Sequence, residues 1–376
     1  MRILWHGISP YRRTGYGVQC RLFAPLIRDL GHTLAIAEMG EPHPVDKGAE
    51  FDGIPVIRAA GRAEYELPRP AVIRAALGGN PDLIIVLKDA WVLPPAQYRP
   101  WNTAVWVNID CEPMGAPDRA FFEQSGAVPV AVARHGLSML RGAGLKNARY
   151  VPHGVDTEFW RPGDQGEARE LLGLPAGAFI AGLNGMNLGT VPRKAFYEQF
   201  AAFAQFRNRL RPDALLLAHT NAEHPEGINL RRITEHLGIT DAVKFAAHAN
   251  MTELQLRSWY RSLDVLMNAT YGEGFGIPVV EALACGVPVI GTDCTALTEK
   301  IPTGAGWLVS GQKFWNDVHG ACWTVPHIGE LTAKLDRAAQ RKNAPRQAAC
   351  RNAALPYDCA QVAREHWKPL IEELTA

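Results

Sequence analysis

The sequence lacks a surplus of charge, a long apolar run and paired cysteines. Lys and Arg number 39 against 38 Asp and Glu, a net charge of +1. That balance excludes a strongly basic nucleic-acid binder and an acidic disordered chain. Residues 1–150 hold 17 basic and 14 acidic side chains, too mild an asymmetry to name a partner. At most it permits weak contact of the first half with a membrane surface or an acidic acceptor. No stretch approaches the roughly 18 apolar residues of a membrane span. The start, Met1-Arg-Ile-Leu-Trp-His-Gly7, is too short an apolar run for a signal peptide. Seven cysteines are an odd number, and none sits in a Cys-x-x-Cys pair. A disulfide framework and a zinc site are therefore disfavoured, and a reducing cytoplasm is the expected location.

What is present points to two α/β domains. A chain of 376 residues, 47% apolar, is long enough for two cores. The first half alternates short apolar strands with helical patterns. Strands are predicted at Arg2–Ile8, Thr33–Ala37, Asp82–Leu87, Thr103–Ile109, Val128–Val132 and Arg149–Val151, and a helix at Val18–Leu30 ended by Gly31. Strands of this kind belong to βαβ units and a parallel sheet covered on both faces. The pattern restarts after the connector Val151-Pro-His-Gly-Val-Asp-Thr-Glu-Phe-Trp-Arg-Pro-Gly163. Strands are expected at Phe179–Leu183, Ala214–His219, Val243–Ala246, Val265–Asn268 and Val287–Gly291. Helices are expected at Arg193–Asn208, Asn229–Leu237, Thr252–Ser262 and Pro278–Cys285. The predicted domains are 1–155 and 156–356, with a last helix in 357–376 returning towards the first. Ligands of two such domains are expected in a cleft between them, on loops that follow strands.

The longest motif is Asn268-Ala-Thr-Tyr-Gly-Glu273-Gly-Phe-Gly-Ile-Pro278-Val-Val-Glu281-Ala-Leu-Ala-Cys-Gly-Val-Pro288. A strand runs into a glycine-rich loop, then a helix with Pro278 in its first turn, where proline is tolerated. Backbone N–H groups of Gly274, Phe275, Gly276 and Ile277 could face an anion there. Glu273 and Glu281 beside an anion need hydroxyls to accept from, and a sugar and a ribose supply them. Two solvated glutamates would explain the helix start but not the length of the pattern. A second motif, Gly185-Met-Asn-Leu-Gly-Thr-Val-Pro-Arg193-Lys194, sets adjacent cations at an expected helix start. The helix dipole disfavours them there unless a diphosphate shares the spot. Thr14-Gly15-Tyr16-Gly17 could cradle a phosphate, although position 20 is Cys20 rather than a third glycine. Glu38, about 20 residues on, is placed as a ribose-binding acid would be. That pair supports a rival reading, a nicotinamide-dependent oxidoreductase. Asn108-Ile-Asp110-Cys-Glu112-Pro113 closes a strand, and Asp110 there is either an active-site residue or a turn aspartate. His135 is expected to be structural and His153 a linker turn residue. His219 and Asn221 end a second-domain strand and are candidates for donor contact.

Glu273 and Glu281, in Glu-Gly-Phe-Gly-Ile-Pro-Val-Val-Glu, resemble the Glu-x7-Glu motif of the retaining glycosyltransferases of GT-B family 4, the glycosyltransferase group 1 proteins. Ala284-Cys-Gly-Val-Pro-Val-Ile-Gly-Thr-Asp293 and Val151-Pro-His-Gly-Val-Asp156 are similar to that family too. The resemblance implies a GT-B fold: two doubly wound Rossmann-like parallel-sheet domains facing a central cleft. It implies a nucleotide diphosphate sugar donor, UDP- or GDP-linked, whose hexose moves to an acceptor hydroxyl. It gives Glu281 the ribose hydroxyls and Glu273 the donor sugar. Arg193 and Lys194, adjacent here although several residues apart in many members, receive the diphosphate and leaving group. Gly15 and Gly17 would close over the donor phosphates, and Asp110 would stand near the reacting carbon. No cofactor and no metal are expected. The manganese-holding Asp-x-Asp of the other large glycosyltransferase architecture does not occur, and Asp110-x-Glu112 is its nearest approach. The acceptor class (glycan, lipid, protein, metabolite or modified nucleic acid) is not encoded in any of these motifs. A catalytically silent sugar-nucleotide binder is the third reading, against which the four charged residues Glu273, Glu281, Arg193 and Lys194 argue.

Overall fold

Strands that are buried along their whole length have to be covered on both faces, and that requirement organises both halves of the chain. The computed structural model describes residues 1–40, 50–58, 64–189, 191–246, 251–340 and 344–376, the side chains of 344–346 apart. It divides into two units, one of 1–156, 316–321 and 357–376, the other of 157–315 and 322–356.

The first unit holds β1 (Arg2–Ile8), β2 (Thr33–Met39), β3 (Glu50–Phe51), β4 (Ile54–Arg58), β5 (Leu83–Leu87), β6 (Thr103–Val107), β7 (Val128–Ala131) and β8 (Arg149–Tyr150). They form one sheet in the order β3-β4-β2-β1-β5-β6-β7-β8, parallel except for the β3–β4 pair. Strand order reverses between β1 and β5, so the loops leaving their carboxyl ends flank a crevice. The helix predicted from Val18 begins earlier, at Gly15, because the Thr14 side chain caps it by accepting from the Gly17 N–H at 3.2 Å. Strands β3 and β4 and the helix Pro70–Leu77 were not legible, being short and only partly buried.

The second unit holds β9 (Ile180–Asn184), β10 (Leu215–His219), β11 (Val243–Ala246), β12 (Val265–Asn268), β13 (Val289–Thr292) and β14 (Gly306–Val309). All pairs are parallel, in the order β11-β10-β9-β12-β13-β14. Here the reversal lies between β9 and β12. A separate two-stranded ribbon, β15 (Gly311–Asn316) and β16 (Ala321–Pro326), follows. The core packs Phe196, Phe200, Phe203 and Phe206 of the helix Phe196–Arg209 onto Leu183, Leu216, Val265 and Ile290 of the strands. That helix starts three residues later than predicted. Pro192 precedes a tight turn in which Ala195 takes φ 51°, so Arg193 and Lys194 belong to a loop and not to the helix.

The first part of the junction, residues 151–156, belongs to the first unit. His153, predicted as a linker turn residue, is 2% exposed, and its ring stands edge-on to Trp106 with centres 4.3 Å apart. The backbone of Gly154 exchanges two hydrogen bonds with the buried side chain of Gln19, at 2.8 and 2.9 Å, which draws the segment inward. His135 Nε2 lies 3.2 Å from the Cys111 carbonyl. No helix among the described residues is long and apolar enough to cross a membrane.

Candidate functional site

In the second unit the loops after β9 and β12 meet at the point of strand reversal. Gly185 follows β9, and a Cβ there would press on the Lys194 side chain at 3.3 Å, so the glycine leaves room for the lysine stem. Asn187 staples the same loop to the neighbouring one. Its Nδ2 donates to the carbonyls of Asn221 (3.0 Å) and Ile228 (2.7 Å), and its Oδ1 accepts from the Ile228 N–H (3.1 Å). Lys194 Nζ then reaches Glu273 Oε1 at 2.6 Å, while Arg193 Nη1 lies 3.4 Å from Oε2. Arg193 also donates to the Gly272 carbonyl, and its own carbonyl accepts from the Tyr271 N–H at 2.8 Å. The Glu273 N–H donates to Thr295 Oγ1 at 2.9 Å, which fixes the backbone beneath the carboxylate. Glu273 is 6% exposed. Burial pushes its carboxyl up, but the Lys194 and Arg193 cations outweigh that and hold it below the usual range. The carboxylate is thus ionised and gripped between two cations.

Gly276 takes φ 88° and opens the helix Ile277–Ala284, which places the Gly274–Ile277 backbone at the helix start as predicted. The Phe275 side chain turns into the interior, where Lys300 Nζ sits 4.3 Å from its ring centre. Glu281, on that helix, is 7% exposed. Its Oε2 accepts from Tyr260 Oη at 2.8 Å, Tyr260 Oη accepts from Asn184 Nδ2 at 2.7 Å, and Asn184 Oδ1 meets His219 Nδ1 at 3.0 Å. Burial and the adjacent Glu281 charge push the Tyr260 phenol well up, so it is a proton donor at any ordinary pH. Asn184 and Tyr260 were not foreseen. Asn184 closes a strand, a detectable signal, whereas Tyr260 lies inside a helix with nothing in its spacing to single it out.

The first unit has its own cluster at the reversal between β1 and β5. Tyr16 Oη donates to Asp89 Oδ1 at 2.6 Å and accepts from Asn108 Nδ2 at 3.3 Å. Lys88 Nζ lies 5.2 Å from the Tyr16 ring centre and 3.9 Å from Asp89 Oδ2. The Trp91 N–H donates to Asp118 Oδ1 at 3.2 Å. Burial, then the Asp89 charge, pushes the Asp118 carboxyl up to about 7, and Asp110 adds to the shift. Asp110 is half-buried in this same field. Lys88, Asp89 and Asp118 escaped the sequence reading because no motif encloses them. Gly15 is exposed at the helix start. Gly17 has a local reason to be glycine, since a Cβ would lie 2.3 Å from the Arg12 carbonyl, and its N–H serves Thr14. Glu38, the ribose acid of the oxidoreductase reading, is buried against Arg58.

Residues 186–320 match the family model of the glycosyl transferases group 1. The D-inositol 3-phosphate glycosyltransferase 2 of Catenulispora acidiphila is 33% identical over 180 residues, covering 46% of this chain and 42% of that protein. The chain thus spans less than half the length of this curated relative. Sucrose-phosphate synthase from Thermosynechococcus elongatus superposes with a TM-score of 0.77 at 19% identity, covering 99% of both chains. Anabaena HepE, solved with UDP and glucose, gives 0.73 at 17% identity, covering 99% of this chain and 100% of that one. The chain has the fold of these GT-B proteins, and through residues 186–320 it resembles the group 1 glycosyltransferases.

Proposed function

We propose that this chain, group 1 glycosyltransferase-like through residues 186–320, moves a hexose from a UDP- or GDP-linked donor to an acceptor hydroxyl with retention of anomeric configuration. The observation that carries the reading is the convergence of Arg193 and Lys194 on Glu273 at the strand reversal of the second unit. Two cations fixed beside a helix start form a place for a diphosphate. Arginine has five N–H donors and lysine three, more than one carboxylate can engage. As the bond from the sugar's anomeric carbon to the phosphate oxygen breaks, the electron pair leaves with the nucleotide diphosphate. The cations stabilise that growing charge. Glu273, ionised, accepts from donor-sugar hydroxyls, and Glu281 accepts from the ribose. The acceptor hydroxyl attacks the face that the diphosphate leaves, and its proton passes to the departing phosphate oxygen.

Asp110, in the field of Asp118 and Tyr16, handles the acceptor, and Gly15 and Gly17, at the start of the helix Gly15–Asp29, close over the donor phosphates. Metal ions are not required, because Arg193 and Lys194 supply the positive charge that a metal would bring to the diphosphate. The curated relative is named for an inositol 3-phosphate acceptor; for this chain any acceptor is a proposal, and the chemistry above asks only for a hydroxyl. Unfolding curves with UDP, GDP, their glucose, galactose and mannose conjugates, and NAD(P)H test the donor class, since a ligand of the folded state raises Tm. A rise with a nucleotide diphosphate and its sugar is expected. A rise with NAD(P)H alone would replace this reading with the oxidoreductase. NMR of the transferred sugar then reads the anomeric outcome directly.

A further inference from the structure

We infer that Tyr260, backed by Asn184 and His219, is a positioning residue that sets Glu281 for the ribose of the donor nucleotide. The inference rests on the ribose role proposed for Glu281. The three side chains form one chain of hydrogen bonds with a single direction. The Asn184 carbonyl oxygen can only accept, so His219 Nδ1 carries the proton between them at 3.0 Å. The Asn184 amide then donates to Tyr260 Oη at 2.7 Å, which leaves the Tyr260 proton for Glu281 Oε2 at 2.8 Å. All four side chains are buried: His219 2%, Asn184 6%, Tyr260 0% and Glu281 7% exposed.

Four separate elements supply the chain. His219 ends β10, Asn184 ends β9, Tyr260 lies on the helix Glu253–Ser262, and Glu281 lies on the helix Ile277–Ala284. The network therefore ties the carboxyl edge of the sheet to the helix that carries the ribose acid. Hydrogen bonds in series at low dielectric polarise and stiffen one another. A carboxylate has two oxygens, and the tyrosine takes a place on one of them. That restricts the rotamer of Glu281 before any nucleotide arrives, so less freedom is lost on binding.

The test compares nucleoside diphosphates with and without ribose hydroxyls. Calorimetry measures the affinity of the full chain for UDP and GDP and for their 2′,3′-dideoxy forms. The wild type should favour the ribo form by about tenfold or more, the value of a hydrogen bond to a charged group. Glu281→Ala should bring the ratio close to one. Tyr260→Phe should shrink it several-fold while leaving the dideoxy affinity unchanged, and Asn184→Ala should act in the same direction. In the Tyr260→Phe, Glu281→Ala double variant the ratio should equal that of Glu281→Ala alone. If Tyr260→Phe weakens ribo and dideoxy forms equally, or leaves the ratio intact while Glu281→Ala abolishes it, the positioning role is overturned and the ribose role of Glu281 stands. If Glu281→Ala itself leaves the ratio intact, the ribose role falls and takes this inference with it. Near-UV circular dichroism reports whether each variant keeps its fold.

Discussion

The two sheets reverse strand order in the same way, yet their reversal points carry opposite electrostatics. In the second unit two cations enclose one carboxylate, and Glu273 is held ionised despite its burial. In the first unit carboxylates act on a carboxyl: burial, then the Asp89 and Asp110 charges, drives Asp118 up to about 7, and Lys88 lies 3.9 Å from Asp89 Oδ2. On the function proposed above, the second unit's cluster would face the donor phosphates and the first unit's the acceptor hydroxyl, and the difference between them lies in the loops.

The largest effect expected is on turnover. Arg193→Ala and Lys194→Ala should each lower kcat by about 100-fold or more, and should weaken donor binding less. Charge on the departing phosphate grows only in the transition state. Turnover numbers measured separately for the two variants, with circular dichroism as the fold control, decide whether both cations face the diphosphate. An unchanged kcat in both would erase the contrast between the two ends. Glu281→Ala comes next, with nucleoside diphosphate affinity falling by roughly 1.5–3 kcal/mol in calorimetry.

Asp118 sharpens the comparison from the other side. Its folded carboxyl titrates near 7, above the ordinary 3.8 of an aspartate, so the folded state binds the proton more tightly than the unfolded one. That difference costs nothing below the unfolded value. It destabilises the fold progressively as pH rises from about 4 to 7, then levels off. Asp118→Asn should remove that slope, so its Tm should exceed the wild type's by a few °C at pH 8 and by less at pH 5. Thermal unfolding across that range checks the sign, and an equal offset at both pH values would contradict the placement. The smallest effect expected is none: EDTA should leave transfer activity unchanged, because the cations are side chains. Loss with chelator and return with manganese would refute the metal-free account.

The fold was legible where burial was complete. β1 and β12 are found with the predicted ends, because a short, largely apolar run has to be covered on both faces. Legibility fell where elements are short or half-exposed, as at β3, β4 and the ribbon of β15 and β16. The site divides along the same line. Glu273, Arg193, Lys194 and Glu281 were visible as charges set among glycines and prolines. Tyr260 and Asn184 were not, because their meaning lies in which other elements they meet. Asp118 is read only once the turn Ala90–Val92, just after β5 and Lys88, is laid against the helix Ala116–Ser125.

The indoles of the first unit have an optical consequence. Trp106 lies 6.1 Å from Trp5 and 4.9 Å from Trp367, ring centre to ring centre, and Trp5 lies 6.3 Å from Trp367. Rings this close and steeply inclined couple their electronic transitions. Light absorbed by one is shared with the others, and the set carries a chirality that isolated indoles lack. Trp367 enters from the C-terminal segment, so that segment is one third of a chromophore whose other members come from β1 and β6. The protein therefore contains its own spectroscopic gauge of whether its last residues are seated, readable without any label.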